Sequence, residues 1–347
     1  MTARRLAAVP SPDQAAEAAA RRWESEVSAY TVHLRAARKS PHTIQSYTQS
    51  LAAWRRFCEA TGVSLDVHQV TRRDAQAFTL WLTDAALAPS TLKTRHVALA
   101  TFFGWLASED EGVLTASPFR GVPTPKVGER PIPTVPDDQS ATLLASLSGR
   151  SFVDRRDLAV VALMLSTGAR RSEVGGLLLE DVDLVAGRVT IHGKGDRVRV
   201  VAFGDFTSTA LRHYIRARAE HAWADEEFQV GDRDDTLRWG RPLWLVTPGT
   251  GHRGGLGSNG IHHMLNRRCR AANVPNINPH RFRHTWADAM LRNGQAEGDI
   301  MRLAGWKTRD MLERYAAHGA AERALVHYQD PLDKMVSRGR RGGGPRR

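Results

Sequence analysis

The sequence predicts a mainly α-helical chain with a small β-sheet: an N-terminal bundle of four helices, then a C-terminal mixed α/β domain. Three observations predict this. Apolar residues recur at helical spacing between capping residues over most of the chain. One pair of alternating runs, 188–191 and 197–201, flanks a Gly-rich turn and reads as a β-hairpin. Prolines at 118, 123, 125, 131, 133 and 136 separate the two halves, where no helix can persist. A chain of 347 residues has room for two cores. The expected boundaries are a flexible N-terminus at 1–21, the bundle at 22–115, an extended proline-rich linker at 116–136, the second domain at 137–330 and a basic flexible tail at 331–347.

Taken in order, residues 1–20 are Ala-rich with Pro10 and Pro12 and are expected to be loose. Trp23, Val27, Tyr30 and Leu34 then mark a helix, and 35–39 is a polar break. Ser40-Pro41 starts the next helix, because serine caps and proline suits the first helical position. Its stripe is Ile44, Tyr47, Leu51, Trp54 and Phe57, and Gly62 ends it. Thr71 and Asp74 form a capping-box pattern, with Asp replacing the usual Glu. The fourth helix starts at Pro89-Ser90 with Leu92, His96, Leu99, Phe103 and Leu106 inward. His96 reads as a packed histidine, and Lys93 and Arg95 lie off the apolar stripe.

In the second half, an apolar helix ends at Thr167-Gly168, and 169–173 enters a short helix. Arg170 sits at that junction, where backbone donors also point outward. The hairpin follows, with Lys194 at its tip between two glycines that allow close backbone approach. A helix is expected over 206–223, an acidic loop over 224–236 and a short strand over 243–246. Residues 255–260 match GxGxxG, but no acid follows between Gly260 and Asp288 to hold a ribose. The segment is expected to be a loop opening a helix from Ile261. His262, His263 and Cys269 lack a metal-binding spacing.

Lys plus Arg total 49 against 37 Asp plus Glu, a net charge of +12. The last eleven residues hold five arginines; without them the remainder keeps 44 bases against 37 acids, or +7. A basic body points to a polyanion such as nucleic acid. Two distant cysteines, Cys58 and Cys269, make no disulfide framework and suggest a reducing compartment. No apolar run approaches the roughly 20 residues of a membrane span, and the N-terminus lacks a secretory h-region. The expectation is a cytoplasmic, nucleoid-associated protein without membrane contact.

The chemistry concentrates in 279–315. His280 and Arg283 are three apart and share a helical face. With Arg170, Lys194 and Tyr315 they compose a phosphate site. Neither a carboxylate pair placed for Mg²⁺ nor a P-loop is present, so the expected cofactor is none and the expected metal is none. Arg170 and Arg283 can neutralise non-bridging oxygens by bidentate bonding, and Tyr315 is the candidate nucleophile.

These residues, in this order, resemble the tyrosine recombinase (phage integrase, Xer-like) family. The motifs are Thr167-Gly168-Ala169-Arg170-Arg171-Ser172-Glu173, Gly193-Lys194-Gly195, His280-Arg281-Phe282-Arg283-His284-Thr285, Leu303-Ala304-Gly305-Trp306 and Tyr315. The bundle, with Ser40-Pro41-His42-Thr43, is similar to that family's SAM-like core-binding domain. The resemblance spans about 22–328 and implies a site-specific, metal-independent recombinase. Tyr315 would attack the scissile phosphate and form a 3′-phosphotyrosine. Arg170 and Arg283 would stabilise the transition state, and Lys194 would protonate the leaving 5′-oxygen. His280 would assist the tyrosine's proton, Trp306 would take the place of a His or Trp, and Glu173 would orient Arg170.

The implied partner is double-stranded DNA, bound by a homo-tetramer on two sites, with a monomer or dimer off DNA and accessory proteins possible. Lys93 and Arg95 are the candidate DNA contacts of the bundle. Only about 20 residues precede the bundle, so an arm-binding domain is expected to be absent. Residues 316–328 suggest a helix that docks on a neighbouring protomer. Alternative readings are a type IB topoisomerase-like relaxer and a non-cleaving DNA-binding regulator.

Overall fold

The first helix begins ten residues earlier than the sequence suggests. In the computed structural model, which describes residues 11–126, 128, 133–193, 197–231, 237–249, 251–316 and 332, α1 spans Pro12–Ala36. The Ser11 hydroxyl accepts from the Gln14 N–H, and the Gln14 side chain accepts from the Ser11 N–H. Ser11-Pro12 is therefore a start signal of the same kind as Ser40-Pro41. The alanines that follow favour helix, so the flexible segment expected over 1–21 is corrected over 12–21, and residues 1–10 lie outside the described residues. The polar break also shrinks, since α1 runs through Arg35 to Ala36.

The chain divides into two compact units, Met1–Glu129 and Arg130–Arg347. In the first, α1 is joined by α2 (Pro41–Thr61), α3 (Arg72–Asp84) and α4 (Pro89–Leu106). The Ser40 hydroxyl accepts from Thr43 N–H, Gly62 closes α2, and Thr71 and Asp74 cap each other reciprocally. The core is aromatic. Trp54 meets Phe78 edge-on at 5.1 Å, and Tyr30 meets Phe102 at 5.2 Å. His96 is buried, with Nδ1 3.2 Å from the Thr79 hydroxyl. The expected linker starts inside this core: Phe119 stacks on Phe103 at 5.5 Å, and Val122 is buried beside it. Apolar side chains at these two positions outweigh the extended preference of the prolines around them.

The second unit opens with α5 (Asp137–Ser146), α6 (Phe152–Thr167) and α7 (Arg171–Gly175). An antiparallel sheet of β1 (Val182–Asp183), β2 (Arg188–Gly193) and β3 (Arg197–Ala202) follows, with Val189 opposite Val201 and Gly193 opposite Arg197. Next come α8 (Asp205–Ala219) and a second hairpin of β4 (Phe228–Val230) and β5 (Arg238–Gly240). That hairpin corrects the expected acidic loop over 224–236. The expected strand at 243–246 is reduced to single bridges, Leu178 to Pro242 and Leu245 to Gly255. The chain ends its described course in α9 (Ser258–Ala271), α10 (Pro279–Arg292), α11 (Glu297–Ala304) and α12 (Arg309–Ala316). No described helix is long and apolar enough to cross a membrane. The expected helix over 316–328 and, Leu332 apart, the tail over 331–347 lie outside the described residues from 317 onward.

Helix α6 is the spine of the main core, which holds its Val160, Leu163 and Met164, and it packs against α8, α10 and β3. Trp244 donates its indole N–H to the Val174 carbonyl at 2.8 Å and so fixes α7 to this core. Gly175 allows the close approach of α7 to α9: a Cβ there would sit 2.6 Å from the Ser258 nitrogen. This contact explains the glycine-rich 255–260 segment, whose Gly257 precedes α9 as its N-cap residue. A satellite core of Trp286, Ala287, Ile300, Ala304, Trp306 and Leu312 joins α10, α11 and α12.

Candidate active site

Gly168 sets the geometry of the site. It ends α6 in the left-handed conformation at φ 59°, and a Cβ there would lie 2.4 Å from Trp286 Cε3. Two residues later, Arg170 occupies the N-cap position of α7. Its backbone N–H donates to Glu173 Oε2 at 2.7 Å, and its Nη1 donates to Glu173 Oε1 at 2.9 Å. Arg170 is thus held by a carboxylate at both backbone and side chain, while its side chain stays 38% exposed.

Glu173 serves a second arginine that sequence reasoning missed. Arg199 of β3 places Nη1 2.9 Å from Oε1 and Nη2 2.7 Å from Oε2, and its Nε donates to the Leu303 carbonyl at 2.8 Å. Burial acts to raise the Glu173 pKa, but the two arginines outweigh it and hold the carboxyl down at about 2. The available signal was the alternation of β3. Val198 and Val200 face outward, 55% and 51% exposed, so Arg199 points inward.

Arg283 enters from α10, whose first turn is capped by Asn278 Oδ1 accepting from the His280 N–H. It is 1% exposed. Nη1 donates to the Gly168 carbonyl at 2.9 Å, and Nη2 donates to the Ala304 carbonyl. Its central carbon lies 4.9 Å from the centroid of the buried Trp306 ring. This differs from the open bidentate fork expected from the sequence: both terminal nitrogens already hold backbone, which fixes a buried positive charge against the carbonyl of Gly168, two residues before Arg170 in the chain.

His280 is exposed at the start of α10, with its ring 5.0 Å from that of His284. Desolvation, then the charges of Arg283 and Arg170, lower its pKa. It is therefore neutral near pH 7 and able to accept a proton. His284 is buried, and burial, His280 and Arg283 push its pKa down to about 4.

Tyr315 lies in the last turn of α12 by its backbone; its side chain is outside the described set. Lys194 also lies outside it, between Gly193 and Arg197, which pair across the hairpin. The hairpin's orientation is fixed at its other residues. His192 Nε2 is 3.4 Å from Asp181 Oδ1, and Arg238 forks onto the same carboxylate at 2.7 and 2.9 Å.

Arg170, Glu173, Arg199 and Trp306 line an open cavity of about 1000 Å³, with Arg302 and Lys307 also on its wall. The excess of cations suits an anion with several oxygens. Among the described residues no group of three or more His, Cys, Asp or Glu side chains converges on a metal position. On the other unit, Lys93 is exposed and Arg95 half-buried. Arg95 borders a polar groove between α2 and α4 with Ser46, Gln49, Ser90 and Thr94. Desolvation and the nearby Arg56 lower its pKa.

The model of the phage integrase family matches residues 134–322, and that of the phage integrase N-terminal SAM-like domain matches residues 27–110. The chain is 31% identical over 292 residues to tyrosine recombinase XerC of Azotobacter vinelandii, covering 81% of this chain and 87% of the relative. It is 27% identical over 281 residues to XerC of Lacticaseibacillus casei, covering 80% and 89%. Among solved structures, the fold is similar to the Tn1549 transposon integrase in complex with transposon right end DNA. There the TM-score is 0.64 at 16% identity, over 91% of this chain and 98% of that one. It is also similar to XerH recombinase bound to palindromic difH substrate, with a TM-score of 0.62 at 15% identity, over 82% and 78%.

Proposed function

Since the chain belongs to the phage integrase family, as a site-specific tyrosine recombinase that cleaves and rejoins DNA, we propose that Tyr315 is its nucleophile and that Arg170 and Arg283 carry the scissile phosphate. The tyrosine oxygen attacks phosphorus, the bond to the 5′-oxygen breaks, and a 3′-phosphotyrosine forms. His280, neutral because its pKa is lowered, takes the tyrosine's proton. Lys194 gives a proton to the leaving 5′-oxygen. The phosphodiester energy is kept in the phosphotyrosine, so religation by another 5′-hydroxyl needs neither ATP nor a metal.

The observation that carries this reading is the bond from Arg283 to the Gly168 carbonyl, two residues from Arg170. It holds the buried charge of Arg283 from α10 against the turn that leads from α6 into Arg170, behind the cleft that Arg170 lines. Positive groups fixed before the reaction stabilise the extra negative charge of the pentavalent transition state without reorganising. Trp306 supports Arg283 through its ring face, and Glu173 orients Arg170.

The bundle contributes Lys93 and Arg95 to the DNA backbone, and the active assembly is a tetramer on two sites. The protein works in the cytoplasm at the nucleoid, in keeping with a DNA substrate and two free, buried cysteines. Covalent trapping tests the reading. The protein is incubated without metal with nicked duplexes drawn from DNA flanking its gene. A protein–DNA adduct formed by the native chain and lost in Tyr315→Phe is the expected result. No adduct with DNA that the protein demonstrably binds would overturn it.

A further inference from the structure

Arg199 stands outside the catalytic set assigned above, yet it makes more charge-assisted bonds in the cleft than Arg170. Its two terminal nitrogens take both oxygens of Glu173, at 2.9 and 2.7 Å. Its Nε takes the Leu303 carbonyl at 2.8 Å. We propose that Arg199 is a positioning residue for the phosphate site: it neutralises and holds Glu173 so that the positive charge of Arg170 is directed at the substrate, and it fixes the end of α11 that presents Trp306. The inference rests on the reading of this cleft as the phosphate site.

Charge balance is the first argument. Arg170 and Glu173 alone make a neutral pair, and a neutral pair is a poor stabiliser of a phosphorane. With Arg199 the trio carries a net positive charge. The parallel two-bond geometry is the stronger claim on a carboxylate, and Arg199 has it. Arg170 contributes Nη1 and its backbone N–H. Exposure divides the roles the same way: the Arg199 side chain is 12% exposed and that of Arg170 is 38% exposed. Both line the cleft, but the less exposed arginine spends its three nitrogens on Glu173 and Leu303, and the other keeps more of its side chain open.

The end of α11 is the second argument. The last carbonyls of a helix have no intrahelical partner and carry its negative pole. Here the Leu303 carbonyl accepts from Arg199 and the Ala304 carbonyl from Arg283. Arginines from β3 and α10 thus act as side-chain caps on consecutive residues, immediately before Gly305 and Trp306. Through Arg199 the hairpin strand, the orienter of Arg170 and the support of Arg283 are mechanically one assembly.

The test is a double-mutant cycle read by single-turnover adduct formation on the nicked duplex, with DNA affinity measured beside it. Arg199→Gln is expected to slow cleavage about 10–100-fold, the scale seen when an outer partner that orients a metal ligand is removed, with little change in affinity. In a Glu173→Gln background the same substitution should cost much less, because no carboxylate charge is left to neutralise. Arg199→Lys, which restores charge without the fork, should recover part of the rate. A merely structural ion pair couples in the cycle as well, but its losses follow thermal stability and disappear when cleavage is read on protein that is fully folded, and that result overturns the proposal. So does an Arg199→Gln protein that cleaves at the native rate. Where Arg199→Gln fails to fold, Arg199→Lys read in both backgrounds decides by the same criterion. A native protein that binds DNA but forms no adduct fails one step earlier, and removes the phosphate-site reading itself.

Discussion

Arg283 lies across the face of Trp306, its central carbon 4.9 Å from the ring centroid, while its terminal nitrogens grip the Gly168 and Ala304 carbonyls. A desolvated cation–π contact contributes about 2 kcal/mol, which is more than tenfold in rate if it serves the transition state. Trp306→Ala is therefore expected to cut single-turnover cleavage about tenfold or more, with DNA affinity little changed. Trp306→Phe keeps an aromatic face and should retain most of the rate. Equal losses in the two variants would show that the ring face does not hold Arg283.

Gly168→Ala should destabilise the second unit. The residue sits at φ 59°, and the added methyl would lie 2.4 Å from the Trp286 ring. Left-handed backbone costs about 1–2 kcal/mol for a non-glycine residue, and overpacking adds about 1–3 more. Thermal unfolding should report a melting temperature lower by several degrees. An unchanged melting temperature would mean that Trp286 moves aside freely.

Acid should weaken the fold in two stages. The folded-state pKa of His284 is depressed from 6.5 to about 4, so the unfolded chain binds more protons between those values. The neutral histidine's contribution is full above pH 6.5 and is lost as pH falls toward 4, an effect of about 3 kcal/mol at most. Glu173, depressed from 4.5 to about 2, loses its contribution over that lower window. Stability measured against pH should therefore decline from mildly acidic conditions, and His284→Gln should flatten the first stage. A first stage unchanged in that variant would assign the decline to another group.

The bundle's cations are tested by salt. If Lys93 and Arg95 each neutralise a phosphate, Lys93→Gln and Arg95→Gln should each lower the slope of log affinity against log salt by about 1, evenly across sequences. A slope that stays at the native value would remove that residue from the DNA contacts.

Most helices were legible because their starts are chemical: Ser40-Pro41 and Thr71 with Asp74 are capping signals, and Pro89 suits the first helical position without a side-chain cap before it. Ser11-Pro12 is the same signal, obscured by the alanines around it. The β4–β5 pair could not be read, because three residues per strand are too few to show a period. Arg170, His280, Arg283 and Trp306 were singled out by motif, and the structure gathers Arg170, Arg283 and Trp306 around the Gly168 turn and the end of α11. Arg199 was passed over because the alternation of the strand was read without assigning its two faces. In β3 Val198 and Val200 face solvent, while Arg199 and Val201 share the inward face, and the partner of Arg199 lies far away in sequence. No local pattern encodes such a pairing.

The satellite core under α12 has a thermodynamic consequence. The helix that carries Tyr315 is held by buried Leu312 and half-buried Met311, apart from the main core. Releasing one buried leucine costs about 1.5–3 kcal/mol, far below global unfolding for a unit of this size. Helix α11, by contrast, is pinned at two successive carbonyls. The proposed nucleophile therefore rides on a less protected segment than the proposed phosphate pocket. Amide exchange should divide the two sharply near Gly305, with α12 exchanging through openings that cost little more than the release of a single side chain.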